Sequence, residues 1–145
     1  MGCGIGLSSL LLNKLHADIT ATDHHPEANV FLQRNALLNS DQEIAFEQTG
    51  WIDNDDNLGL FDLVIGSDLL YEDAHVEQLA SFIEKHSNPC CEVIIVDPRR
   101  GRKNKFSTEM NNFGFASTHQ KPAHTDYLDH EFKGHILKFA RQPHF

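Results

Sequence analysis

Phe61-Asp62-Leu63-Val64-Ile65-Gly66-Ser67, with Asp68-Leu69-Leu70-Tyr71 directly after it, is the stretch that decides the fold. Its apolar residues run nearly without a break, as in a strand buried on both faces of a parallel sheet. Glu92-Val93-Ile94-Ile95-Val96-Asp97 has the same character, and Val76 to Lys85 between the two reads as a helix. Toward the N-terminus, Ile19-Thr20-Ala21-Thr22-Asp23 is a short strand closed by His24-His25-Pro26, where the proline suits the first turn of a helix. That helix is expected from about Pro26 to Asn39, with Val30, Leu32, Ala36, Leu37 and Leu38 inward, followed by a strand at Ile44-Ala45-Phe46-Glu47. Toward the C-terminus a helix near Lys105 to Asn112 precedes Phe115 to Gln120 and His135 to Phe139, two strand-like segments able to pair antiparallel. Repeated strand–helix units ending in a strand pair predict an α/β fold, a doubly wound sandwich with a mixed edge.

The bulk properties agree with one domain over residues 1–145. Hydrophobic residues make up 40% and charged residues 23%, near the globular average. A formal charge of −9 and a pI near 5.4 disfavour a protein that works by neutralising phosphates, so nucleic acid is demoted as a partner. The three cysteines form neither a disulfide framework nor a paired metal motif, and a reducing cytoplasm suits them. The longest apolar runs are strand-sized, far below the roughly 20 residues that span a bilayer. Met1 is followed by a glycine-rich turn, not the basic region of a signal peptide, so the expectation is a cytoplasmic protein without a membrane segment.

The turn Gly2-Cys3-Gly4-Ile5-Gly6 opens onto Leu7, Leu10, Leu11 and Leu15, spaced as one helix face, with Ser8 and Ser9 at its start. Glycines there let a ligand approach the backbone, and the helix N-terminus offers unpaired N–H groups to an anion. Tight turning alone is the alternative. A dinucleotide-binding loop needs its third glycine one position later, where Leu7 stands, which argues against NAD. Asp23, ending the next strand, suits either the hydroxyls of a ribose or the capping of a helix.

These residues resemble the class I, seven-β-strand methyltransferases, a Rossmann-like fold, and among them the methyltransferase-like protein lysine methyltransferases. Gly2-Cys3-Gly4-Ile5-Gly6 is similar to the glycine loop of that family, and Ala21-Thr22-Asp23 to its ribose-binding strand end. Gly50-Trp51 resembles its tryptophan near the adenine, and Asp68-Leu69-Leu70-Tyr71 its Asp-x-x-Tyr signature. The resemblance implies S-adenosyl-L-methionine as cofactor, with Gly2, Cys3, Gly4 and Gly6 at the methionine moiety, Asp23 at the ribose and Trp51 at the adenine. It implies Asp68 and Tyr71 as catalytic residues, Asp68 orienting the acceptor nitrogen or the cofactor's amino group and the Tyr71 ring holding a partly cationic methylamine. Each has a structural alternative: Asp68 as a cap for the helix starting near Glu72, Tyr71 and Trp51 as packing residues.

The family pattern places an apolar strand and an acidic residue before the glycine loop, where this sequence has only Met1. The expectation is therefore an N-terminally truncated methyltransferase domain whose first, central strand is missing, leaving the strands that end at Asp23 and Ser67 without a shared neighbour. Arg99-Arg100-Gly101-Arg102-Lys103-Asn104-Lys105 concentrates positive charge in an acidic chain; it reads as a solvated loop or as a reader of an acidic substrate surface. The ten histidines show no zinc spacing, so no metal is expected, and Cys90 and Cys91 read as small core residues before a buried strand. The implied activity is methyl transfer to a protein side chain, lysine favoured. A small-molecule N- or O-methyltransferase and a non-catalytic binding module are the alternatives.

Overall fold

The structure, a computed structural model, describes residues 1–142. The chain forms two compact units, Met1–Leu58 and Gly59–Phe145. The first contains helix α1 (Leu7–Lys14), strand β1 (Thr20–Asp23), helix α2 (Glu27–Leu38) and strand β2 (Ala45–Gln48). β1 and β2 pair in parallel, Thr20 opposite Ala45 and Asp23 opposite Gln48.

The core of this unit is small: Ala21, Leu32, Ala36 and Ile44, with Cys3, Leu10, Ile19 and Phe46 packed against it. On α2 the buried residues are Ala28, Leu32 and Ala36, spaced four apart along one seam. The expected inward positions of Val30, Leu37 and Leu38 are corrected, since all three are exposed. At 100° per residue they lie well off the Leu32 seam, and hydrophobicity without phase misplaced them. Of the α1 leucines, Leu10 meets the core while Leu7, Leu11 and Leu15 face outward. The Gln33 side chain then fixes the entry to β2, its amide donating to the Ile44 carbonyl at 2.7 Å and its oxygen accepting the Ile44 N–H at 3.1 Å.

The second unit contains β3 (Phe61–Ser67), α3 (Asp73–Lys85), β4 (Ser87–Asp97), α4 (Lys103–Asn112), β5 (Ala116–Gln120) and β6 (His135–Arg141). Its sheet has the order β3-β4-β6-β5, parallel between β3 and β4 and antiparallel thereafter, which is the expected strand pair on a mixed edge. The register between β3 and β4 jumps from Phe61–Ser87 to Leu63–Glu92, and Pro89, which has no N–H for a ladder, lies inside the jump.

Cys91, Val93, Ile95 and Asp97 of β4 alternate toward the buried face, opposite Leu137 and Phe139 of β6. Phe106 of α4 meets the Phe139 ring edge-on at 5.3 Å. Two expectations change here. Cys90 is exposed where Cys91 is buried, because both lie within β4 and consecutive residues point to opposite faces. β3 is not buried on both faces: Gly66 alone is fully buried and Leu63 is exposed. β3 is an edge strand of its own sheet, as β1 is of the other.

Phe106→Ala should lower the unfolding free energy by about 3–5 kcal/mol, the cost of emptying a close-packed aromatic site. The exposed Phe31→Ala should cost well under 1 kcal/mol; urea denaturation of both variants compares them.

Candidate functional site

In the first unit the glycine loop has left-handed backbone at three alternate positions, with φ of 55° at Gly2, 53° at Gly4 and 86° at Gly6. The demands differ. A Cβ at Gly6 would lie 2.3 Å from Cδ1 of Leu32, so this glycine allows the loop to close onto α2. A Cβ at Gly4 would meet nothing within 4 Å, leaving open space above a left-handed backbone. α1 begins after Gly6 with no side-chain cap and no acidic residue in its first turn, so its leading N–H groups have no side-chain acceptor.

Asp23 ties this loop to the strand end. Its Oδ2 accepts the Gly4 N–H at 2.9 Å and its Oδ1 the His25 N–H at 3.0 Å, while the Cys3 N–H donates to the Thr22 carbonyl at 2.9 Å. Each carboxylate oxygen retains lone-pair capacity for a further donor. Asp23 does not cap α2, whose N-cap is Pro26. The Asp23 carbonyl accepts the Thr49 N–H at 3.1 Å, which leads the chain from β2 to Gly50, whose N–H is held by the Asp53 carboxylate, and to half-buried Trp51. Burial and the Asp23 carboxylate push the Cys3 thiol pKa up, which favours the thiol over the thiolate.

Asp68 and Tyr71 belong to the second unit. Asp68 follows β3 with left-handed backbone, φ 54°, a region Asp enters more readily than most residues. Its N–H donates to the Val96 carbonyl at 2.8 Å. Its carboxylate is gripped by Arg100, Nε to Oδ1 and Nη2 to Oδ2, both at 2.7 Å. The guanidinium fork holds the Asp68 carboxyl below its usual range. Asp68 is not the cap of α3, since Glu72 occupies that position. Tyr71 is exposed, and its ring meets His75 edge-on at 4.6 Å.

The basic stretch is not simply a solvated loop. Arg100 holds Asp68, Arg102 holds Asp73 at 2.7 Å, and Lys105 lies 3.6 Å from Glu77. Arg100 as the partner of Asp68 escaped the sequence analysis. The signal lay in the parallel register, where Ser67 stands opposite Val96 and the two following loops leave the sheet at one end. Among the described residues no three His, Cys, Asp or Glu side chains gather as a metal-ligand set, and no helix is long and apolar enough to cross a membrane.

The lysine methyltransferase family model matches residues 1–113, which include Gly2, Cys3, Gly4, Gly6, Asp23, Trp51, Asp68, Tyr71 and Arg100 but not β5 and β6. The chain belongs to that family. Solved structures share the fold of this methyltransferase. A methyltransferase from Pyrococcus furiosus is 19% identical at a TM-score of 0.79, over 97% of this chain and 72% of that one. The N-methyltransferase NodS from Bradyrhizobium japonicum, in complex with S-adenosyl-L-homocysteine, is 15% identical at 0.74, over 97% and 74%. A ribosomal protein L11 methylase from Lactobacillus delbrueckii is 23% identical at 0.74, over 97% and 67%. No curated protein matches the chain.

The methyltransferase is therefore an α/β, Rossmann-like enzyme that uses S-adenosylmethionine, and the NAD alternative is set aside. Its own residues fit such a cofactor: an open glycine backbone, an uncapped helix start suited to a carboxylate, and an acidic strand end with unused lone pairs.

Gly6→Ala should destabilise the protein by about 1–3 kcal/mol more than Gly4→Ala, since it adds a clash to the same backbone strain; urea titration measures the difference. The depressed Asp68 pKa means its ion pair contributes above the unfolded value of about 3.9 and is lost as pH falls through the lower folded value. Carboxyl NMR should place the Asp68 midpoint below that of a free Asp, and Arg100→Gln should raise it.

Proposed function

We propose that this methyltransferase transfers the methyl group to the side-chain amine of a lysine in a protein. The observation that carries the reading is the environment of Asp68: an ionised carboxylate in left-handed backbone at the carboxyl end of β3, followed by Tyr71, within the segment matched by the lysine methyltransferase family. Open α/β sheets bind their ligands at that end of the strands. S-adenosylmethionine, when bound, supplies a methyl group activated by its sulfonium. Gly2, Cys3, Gly4 and Gly6 would hold the methionine end, Asp23 would accept ribose hydroxyls, and Trp51 would lie against the adenine.

Because Arg100 keeps Asp68 ionised, Asp68 serves as an acceptor and not as a proton donor. In this reading it takes an N–H hydrogen bond from the incoming amine and aligns the nitrogen lone pair, after the amine has lost its proton to solvent. The exposed Tyr71 ring favours the methylammonium product by a cation–π contact. Three free cysteines suit a reducing compartment such as the cytoplasm.

Incubation with labelled S-adenosylmethionine and a protein lysate should put label on lysine. Label confined to small molecules would overturn the choice of acceptor. Asp68→Asn should reduce kcat/KM roughly a hundredfold. Tyr71→Ala should lose about tenfold and Tyr71→Phe little, because the ring face, not the hydroxyl, is used. Asp23→Asn should weaken S-adenosylhomocysteine binding about tenfold in calorimetry, with Tyr71→Ala leaving it unchanged.

A further inference from the structure

A second feature of the 59–145 unit lies beside the ion pairs of Asp68, Asp73 and Glu77. A cleft of about 560 Å³ opens at the carboxyl end of β4, between the start of α4 and the loop leading to β6. Arg99, Lys103, Lys121 and Lys133 line it, four of the twelve lysines and arginines in a chain of net charge −9. Unlike Arg100, Arg102 and Lys105, none of the four forms an ion pair among the described residues. The basic run thus divides: Arg100, Arg102 and Lys105 are neutralised by acidic residues after β3 and on α3, and Arg99 and Lys103 are left facing the cleft.

Two carboxylates also line it, with unequal effect. Asp97 is buried, and its oxygens already accept the Arg99 and Arg100 N–H groups at 3.2 and 3.3 Å. Glu131 is exposed, and with four cations against two carboxylates the lining stays net positive. The start of α4 adds to the positive side, since its first turn has neither an acidic residue nor a side-chain cap. Lys103 Nζ lies 3.3 Å from His135 Nε2, and the buried His135 Nδ1 has no hydrogen-bond partner among the described residues. Like charges held together in excess of the opposite charges beside them raise the local potential and draw an anion.

The shape is built for this. Gly134 is buried, and a Cβ there would lie 2.3 Å from the Asp97 carbonyl oxygen and 2.5 Å from the Phe132 ring, so the loop bearing Glu131 and Lys133 closes on the β4 end through a glycine. Four cations interrupted by two carboxylates within one cleft match a few discrete carboxylates better than a continuous phosphate backbone. The acidic balance of the whole chain opposes the latter as well.

We propose that this cleft binds the carboxylates of an acidic protein segment, and that the segment belongs to the methyl acceptor, a step that rests on the protein-lysine reading above. The cleft would then dock the acceptor and set its specificity.

The test is fluorescence anisotropy of the full chain with a labelled peptide of glutamate, glycine and one lysine, beside its glutamine analogue and a single-stranded oligonucleotide of equal charge. The glutamate peptide should bind, the glutamine analogue should not, and added salt should weaken binding. Lys121→Gln/Lys133→Gln should weaken it about five- to tenfold. Lys14→Gln/Lys138→Gln, with the same charge loss outside the cleft, should change it less than twofold. Equal effects of the two variants, or tighter binding of the oligonucleotide, would overturn the proposal. Methylation of lysate proteins separates the two readings. Lysine labelling that the cleft variant leaves intact sinks the docking role alone, and cleft-dependent peptide binding without lysine labelling sinks the acceptor assignment alone.

Discussion

The Leu32 side chain occupies the space where any residue but glycine at position 6 would place its Cβ. That contact brings the glycine loop against α2, and with it the turn whose other glycine, Gly4, stays open above its backbone. Asp23 supplies the second restraint, its buried carboxylate accepting the Gly4 N–H from the end of β1. A small core around Leu32 and a two-stranded parallel sheet are enough to present these groups because glycine removes the steric cost of the left-handed turn.

In the 59–145 unit β4 has the corresponding place. It pairs in parallel with β3 and antiparallel with β6, and its inward residues meet those of β6 across the buried face. At its end the chain turns through left-handed Arg99 and Gly101 into α4, using Asp97 as the acceptor for two backbone N–H groups. This turn distributes the basic residues. Arg100 reaches Asp68 and Arg102 reaches Asp73, while Arg99 and Lys103 line the cleft. A charge run that looks uniform in sequence thus serves both to keep Asp68 ionised and to create a region of positive potential.

The α/β order and the left-handed glycine turn were legible because each depends on local pattern. The apolar runs ending at Ser67 and Asp97, the glycines at positions 2, 4 and 6, and the acidic residues closing two strands all carry their signals within a few residues. Phase was harder. Val30, Leu37 and Leu38 were read as inward by their hydrophobicity, although the seam of α2 runs through Ala28, Leu32 and Ala36. Cys90 was grouped with Cys91 although neighbours on a strand face opposite ways.

The sequence by itself determined the strand–helix order and the need for left-handed backbone in the glycine turn, because backbone sterics and hydrophobic period act over short distances. Tertiary structure decided which charges meet. Arg100 is 32 residues from Asp68, and Lys121 and Lys133 join Arg99 only after β6 has folded back against β4. Coulomb interactions depend on separation in space and not along the chain, so the grip on Asp68 and the gathering of cations in the cleft emerge only with the sheet.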